Sequence, residues 1–495
     1  MPSDQGVTRP PLAVAPVTAV AGLLAVVMVA TSGAYGYHRD ELYFRLLGQQ
    51  PAWGYVDQPP ATPLLARLTT ELFGDHLWAL RLPGALILAG TTVLTALLAR
   101  EFGGGRGAQT LAAIGTGTTF PLIFGHALFT ASLDMVVTAA VLLCVARALL
   151  RDDRWWVAVG WLTGLGLYNK FLIVLPLLAI GAGLLLVGPR RVLASRWLWA
   201  GVVLALMLGA PNLTYQATHE WPQFAMAQAI EENKGDESRV LFVPLQLALL
   251  GMFAVPIWIA GLVRLLRDPA LRSARALGVA YPVICVLVLV QGGQPYYSLG
   301  LVLLLFAAGC EPTLRWAAGR GRRALLAGAL VVNAVMSAVV ALPVLPVKTL
   351  ADTFVPHINQ ATSDQIGWPE YVAQIASVVD GLPAAERERA VIITANYGEA
   401  GALDRYGDRY DLPPVRSGHN ELWYRGRPAD DADVAVIVGF DGGPRLSRAF
   451  ASCVVARDLD NGVDIPNEEQ ELDVRVCRDP RRPWVELWPE FRHYD

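Results

Sequence analysis

The stretch FTASLDMVVTAAVLLCVA, Phe129 to Ala146, decides the fold. It is long and apolar enough to cross a bilayer, yet Asp134 stands near its start. An ionisable group at membrane depth is costly, so it normally faces a polar cavity and marks a functional site. Similar apolar blocks recur from about residue 13 to about residue 346 and then stop. The 495 residues are 54% hydrophobic and only 17% charged, with a mean hydropathy of +0.40. A soluble domain carries about a quarter charged residues, so the composition excludes an ordinary soluble enzyme. The net charge of −3, without a long basic tract, gives no sign of a nucleic-acid partner. The expected fold is a polytopic α-helical membrane domain over 1–348, followed by a polar α/β domain over 349–495.

Eleven spans are expected, near 13–32, 77–99, 108–125, 129–146, 155–168, 171–187, 197–214, 241–263, 276–291, 296–311 and 324–346. No small-residue cleavage site precedes RDELYF, so the first block reads as a retained span. Arginine and lysine set the orientation. With the N-terminus cytoplasmic, the inner loops hold 16 such residues, among them Arg147, Arg151, Arg190, Arg264 and Arg322. The outer loops hold six: Arg39, Arg45, Arg67, Lys170, Lys234 and Arg239. An odd number of spans then leaves the C-terminal domain outside the cytoplasm. Region 155–187 would be about 50 Å long as one helix, too long for one span and short for two. A hairpin turning at Tyr168-Asn169-Lys170 keeps both flanking arginine groups inside and carries Lys170 into a recessed tip. The alternative is a lysine reaching from a helix end toward water. Cys144, Cys285 and Cys310 fall in spans, whereas Cys453 and Cys477 fall in the outer domain, where an oxidising compartment permits a disulfide.

The first outer loop, 33–76, opens with YHRDELYF, Tyr37 to Phe44. Its aromatic residues suit the membrane–water interface, and Asp40 and Glu41 would begin a short helix there, either as reacting acids or as ordinary first-turn acids. WGYVDQPPATPLL, Trp53 to Leu65, sets a rigid turn in which Asp57 is either a ligand to metal or substrate or a plain turn residue. His126 immediately precedes the span of Asp134. In QGGQPYYSLGLVL, Gln291 to Leu303, Tyr296 and Tyr297 offer hydroxyls or belong to an aromatic belt. The acidic run in outer loop 212–240 reads as a solvated, mobile segment, a candidate lid. In the outer domain RAVIITAN and DVAVIVGF read as buried strands and GEAGALDRYGDRY as a helix. GEAGA lacks a dinucleotide fingerprint, and His419 could touch acceptor or serve packing.

Together these motifs resemble the GT-C glycosyltransferases, more narrowly the bacterial glycosyltransferase 39 group, related to protein O-mannosyltransferases and to the aminoarabinose transferase of lipid A. The likeness covers roughly residues 15–346, and Ala395 to Trp423 resembles the outer domain of uncharacterised bacterial members. The resemblance implies a polyprenyl-phosphate sugar donor, a bacterial plasma-membrane location, and an extracytoplasmic glycan, lipid or protein acceptor. It implies Asp40 as catalytic base with Glu41 beside it, and Asp134 as a second acid. It implies donor-phosphate contacts from Lys170 and Tyr297; Tyr296, Gln58 and His126 are further candidates for the same site. Asp57 matches an acid that binds a divalent metal in some members; no other cofactor is expected. The aminoarabinose transferases carry Lys where this chain has Gln58, which argues against lipid A as acceptor. A flippase for a lipid-linked sugar is the competing expectation.

Overall fold

The structure, a computed structural model, describes residues 8–440 and 443–494. The chain divides into two compact units. The first comprises 1–32, 58–62 and 81–342; the second comprises 33–57, 63–80 and 343–495. The first outer loop is therefore split, most of it joining the C-terminal region.

Among the described residues, seven helices are long and apolar enough to cross a membrane. They are Val14–Thr31, Leu77–Glu101, Thr130–Leu150, Arg196–Thr218, Pro269–Val290, Pro295–Trp316 and Arg320–Ala341, counting leading 3-10 turns. The other expected spans are shorter or broken. Region 108–125 forms two helices, Arg106–Thr116 and Thr119–His126, interrupted at Gly117-Thr118. Region 155–187 breaks after Gly166 and resumes with a 3-10 turn at Phe171, so the expected turn at Tyr168–Lys170 is present. Region 241–263 bends by 66° between Pro222–Ala248 and Met252–Arg267. Gly251, at φ +79°, makes that bend where a side chain would be strained.

Segment 212–240 is not the expected mobile loop. Arg196–Thr218 runs through its start and Pro222–Ala248 through the rest. Pro222 suits a first helical turn, and the following Ala, Met, Gln and Glu are strong helix formers. Small residues let the apolar helices pack backbone to backbone. A Cβ on Gly261 would collide with the Leu305 carbonyl, and one on Gly160 with the Gly201 carbonyl.

The second unit is built on a five-stranded sheet: β1 (Ala390–Thr394), β2 (Val415–Ser417), β3 (Val434–Val438), β4 (Phe450–Asp458) and β5 (Asp473–Pro480). Their order is β2-β1-β3-β5-β4, parallel through β3 and antiparallel beyond it. Every residue of β1 and β3 is buried, as apolar runs covered on both faces must be. Trp484, Leu487, Trp488 and Phe491 close one face. Cys453 and Cys477 stand opposite each other on β4 and β5 and form a disulfide.

Candidate active site

In the first unit the polar groups gather around one turn. Asp134 lies just over a turn into Thr130–Leu150, and Lys170 follows the break after Gly166. The Lys170 ammonium stands 5.7 Å from the Tyr296 ring centre and 5.2 Å from that of Tyr297. The two rings meet edge to face at 5.1 Å. Asp134, Tyr296 and Tyr297 line one narrow cavity, with Lys170 within electrostatic reach of Asp134. Four of the expected residues are thus together: an acid, an ammonium and two phenols.

This arrangement is held by neighbours that carry no charge. Asn169 donates to the Thr130 carbonyl at 2.8 Å and accepts from the Thr62 hydroxyl at 2.8 Å. The Ala61 amide donates to the Tyr168 carbonyl at 2.8 Å. The Gln58-Pro59-Pro60-Ala61-Thr62 stretch is therefore fastened to the turn that presents Lys170. On the tyrosine side, Gln246 donates to the Pro295 carbonyl at 2.7 Å and accepts from Ser298 at 2.7 Å and Tyr281 at 3.2 Å. Gln58 is buried, and its side-chain oxygen has no hydrogen-bond partner among the described residues. His126 is buried with Nε2 3.3 Å from the Arg81 guanidinium. Arg81 can only donate, so His126 accepts on Nε2. Arg81 was not among the expected site residues. It is a buried cation inside the apolar run LWALRLPGALILAG, and the rule that singles out Asp134 applies equally to it.

In the second unit Asp40 and Glu41 open the helix Arg39–Gln49, as expected. Glu41 is fully buried and accepts from the His38 amide at 2.9 Å, closing a capping box. Its carboxylate secures the helix start. Asp40 keeps a side-chain exposure of 29% and accepts from the Tyr397 hydroxyl at 2.8 Å. The Asp40 amide donates to His38 Nδ1 at 3.1 Å, so the His38 proton sits on Nε2, 3.7 Å from Asp364. Arg39 pairs with Asp364 at 3.4 Å and also with Glu468. Burial raises the Asp364 carboxyl well above the usual range, against the pull of Arg39.

Tyr397 is a residue the sequence did not single out. It stacks on Tyr43 at 4.5 Å and on His419 at 4.8 Å, and its amide donates to His419 Nδ1 at 3.1 Å. His419 therefore serves to pack and orient Tyr397. Asp57 is also in this unit, accepting from the Tyr43 hydroxyl at 2.9 Å. Burial pushes its carboxyl up to about 7, with the Tyr43 hydrogen bond opposing. No three His, Cys, Asp or Glu side chains converge as a metal would require among the described residues.

The architecture superposes on that of ArnT from Cupriavidus metallidurans bound to undecaprenyl phosphate, with a TM-score of 0.58. The match covers 93% of this chain and 97% of that one at 17% identity. This is the GT-C fold. A second GT-C structure, the arabinofuranosyltransferase AftD from Mycobacteria, matches at 13% identity with a TM-score of 0.53, over 94% of this chain and 40% of AftD. Residues 57–215 match the dolichyl-phosphate-mannose-protein mannosyltransferase family model. That segment contains Asp57, Gln58, His126, Asp134 and Lys170, and leaves out Asp40, Tyr296, Tyr297 and Tyr397. No curated protein matches the chain by sequence.

Proposed function

We propose that this chain is a membrane glycosyltransferase that moves a sugar from a polyprenyl-phosphate carrier to an extracytoplasmic acceptor. The observation that carries the reading is the Lys170 ammonium held against Tyr296 and Tyr297 beside Asp134 in an apolar helical unit. A cation with phenol hydroxyls at membrane depth suits the phosphate of a lipid whose tail stays in the bilayer. The ArnT structure is bound to undecaprenyl phosphate, and a lipid phosphate of that kind is the ligand carried over to this chain.

The acceptor hydroxyl attacks the anomeric carbon while the bond from that carbon to the phosphate oxygen breaks. Asp40 takes the hydroxyl proton as general base, its Oδ2 remaining for the acceptor once Tyr397 holds Oδ1. Polyprenyl phosphate leaves with its charge stabilised by Lys170 and by Tyr297 and Tyr296 as donors. A single displacement inverts the anomeric centre. Asp134 balances Lys170, while Gln58, with its free side-chain oxygen, and His126 contribute to the donor pocket. Glu41 acts through the helix cap that sets Asp40. Asp57 would be the metal-binding acid if a divalent ion takes part, and no step here runs through one.

The arginine-rich loops and the Cys453–Cys477 disulfide support a bacterial plasma membrane with the N-terminus cytoplasmic and the C-terminal domain outside. Transport of a lipid-linked sugar gains nothing from the comparisons: the family model and AftD are both named as transferases. Transfer in proteoliposomes with a panel of polyprenyl-phosphate sugars tests the reading. Asp40→Asn and Lys170→Met, correctly folded, should each lose about 100-fold or more in rate. Wild-type turnover in either variant removes that residue's role. A wild-type protein that leaves every donor intact removes the transferase reading.

A further inference from the structure

The second unit holds a cavity of about 430 Å³, within the roughly 300–1,000 Å³ typical of small-molecule sites. Two helices running side by side form one wall. Arg39–Gln49 and Tyr397–Tyr406 meet at Asp40 with Tyr397, at Leu42 with Gly401, and at Gln49 with Asp404. Asp40 and Tyr397 sit at their N-terminal ends, whereas Gln50 and Asp404 line the cavity at the other. At 1.5 Å per residue, the cavity lies roughly 10–15 Å from the carboxylate of Asp40. The edge strand β2 and the turn after Tyr406 complete it.

The lining sets the ligand chemistry. Two carboxylates, Asp404 and Asp408, and two guanidinium groups, Arg416 and Arg425, line the cavity with cancelling formal charges, and Asp404 already accepts from Gln49 at 3.0 Å and pairs with Arg45 at 3.5 Å. The cations are partly committed. Arg416 donates to the carbonyls of Arg427 at 3.2 Å and Val415 at 2.9 Å, and Arg425 to that of Leu46 at 2.7 Å. With two carboxylates beside two guanidinium groups, the cavity carries no net positive charge to draw a phosphate or a polyanion. Asp408 is exposed with an open carboxylate, and Gln50 adds an amide. Tyr410, 37% exposed, lines the cavity together with Leu46, Leu403, Leu412 and Leu422. Hydroxyl acceptors beside an aromatic and an apolar surface suit a sugar ring, which has hydroxyl edges and a C–H face.

We infer that this cavity is a saccharide-binding site for the distal part of a neutral oligosaccharide acceptor, resting on the proposed transferase reading for the role of Asp40. A single sugar is too short to fill the cavity and reach Asp40 at once; a linear chain of a few sugars has the length for both. The acceptor is accordingly a glycan chain held at two points.

The test uses the full-length protein in detergent on an array of linear envelope oligosaccharides two to six sugars long. Neutral chains should be retained by the wild type. The double variant Asp408→Asn/Tyr410→Ala changes exposed side chains and should lower retention by about tenfold, the loss expected for one hydrogen bond to a charged group. In transfer assays the same variant should raise KM for long acceptors and leave kcat unaltered. No glycan retained by the wild type, or retention undiminished in the double variant, overturns the site. Retention without transfer keeps the site and removes the transferase reading; transfer without retention does the reverse.

Discussion

The hydroxyl of Tyr397 donates to Oδ1 of Asp40 across 357 positions of sequence, at 2.8 Å. The partly buried tyrosine ring is stacked between Tyr43 and His419, which fixes the direction of its hydroxyl. The polar C-terminal region thereby orients the acid proposed as base.

Tyr397→Phe keeps both ring stacks and removes only that donor. The transfer rate should fall by about tenfold, from a lost hydrogen bond to a charged group, while acceptor KM stays within error and the melting temperature is nearly constant. An unchanged kcat would make Tyr397 a packing residue only.

Asn169→Leu retains side-chain volume but strips two hydrogen bonds from the turn that presents Lys170. Donor turnover should drop at least about tenfold, because misplacing a positioned group by an ångström is that costly. The protein should still be extracted as a folded monodisperse species. Restoration of activity by Asn169→Gln would show that the amide, not its exact length, is what matters.

The second unit should be more stable in mild acid. Burial raises Asp57 from 3.8 to about 7, and burial raises Glu469 from 4.5 to about 7 against the pull of Arg39. In both, the folded state holds its proton more tightly than the unfolded chain. Their contribution is complete below the unfolded values and is lost as pH rises through about 7. The melting temperature should therefore fall by several degrees between pH 5 and pH 8. Asp57→Asn with Glu469→Gln should flatten that slope, and a slope that persists in the double variant would trace to other groups.

Reduction of the Cys453–Cys477 bond frees a loop with a sequence separation of 24. On chain-entropy grounds this costs roughly 3 kcal/mol. Thermal unfolding with and without reductant, against a Cys453→Ser/Cys477→Ser control, measures it. The control should already melt low and ignore the reductant.

How far the sequence could be read depended on the range of the interactions. Apolar runs announced most spans because burial in lipid is a property of a local window. Helix 222–248 was missed because Glu231, Glu232 and Lys234 look like a solvated loop when only hydropathy is weighed, though their helix propensity is high. Asp134, Lys170, Tyr296 and Tyr297 stood out as polar groups amid apolar neighbours. Arg81 obeys the same rule, as a buried cation within an apolar run. Tyr397, Gln246 and Asn169 could not be found in this way. Their importance comes from partners dozens to hundreds of positions away, and nothing in their own neighbourhoods marks them.

The separation of Asp40 and Tyr397 also bears on how the protein is made. Asp40 emerges early in synthesis, shortly after the first long apolar helix, Val14–Thr31. Its partner is translated only after the last long apolar helix, Arg320–Ala341, and must reach its contact through a β-sheet whose own pairings are distant in sequence. A nascent chain, however complete its helices, thus carries an unoriented acid. Until the second unit has folded, the acid proposed as base lacks the hydroxyl that orients it.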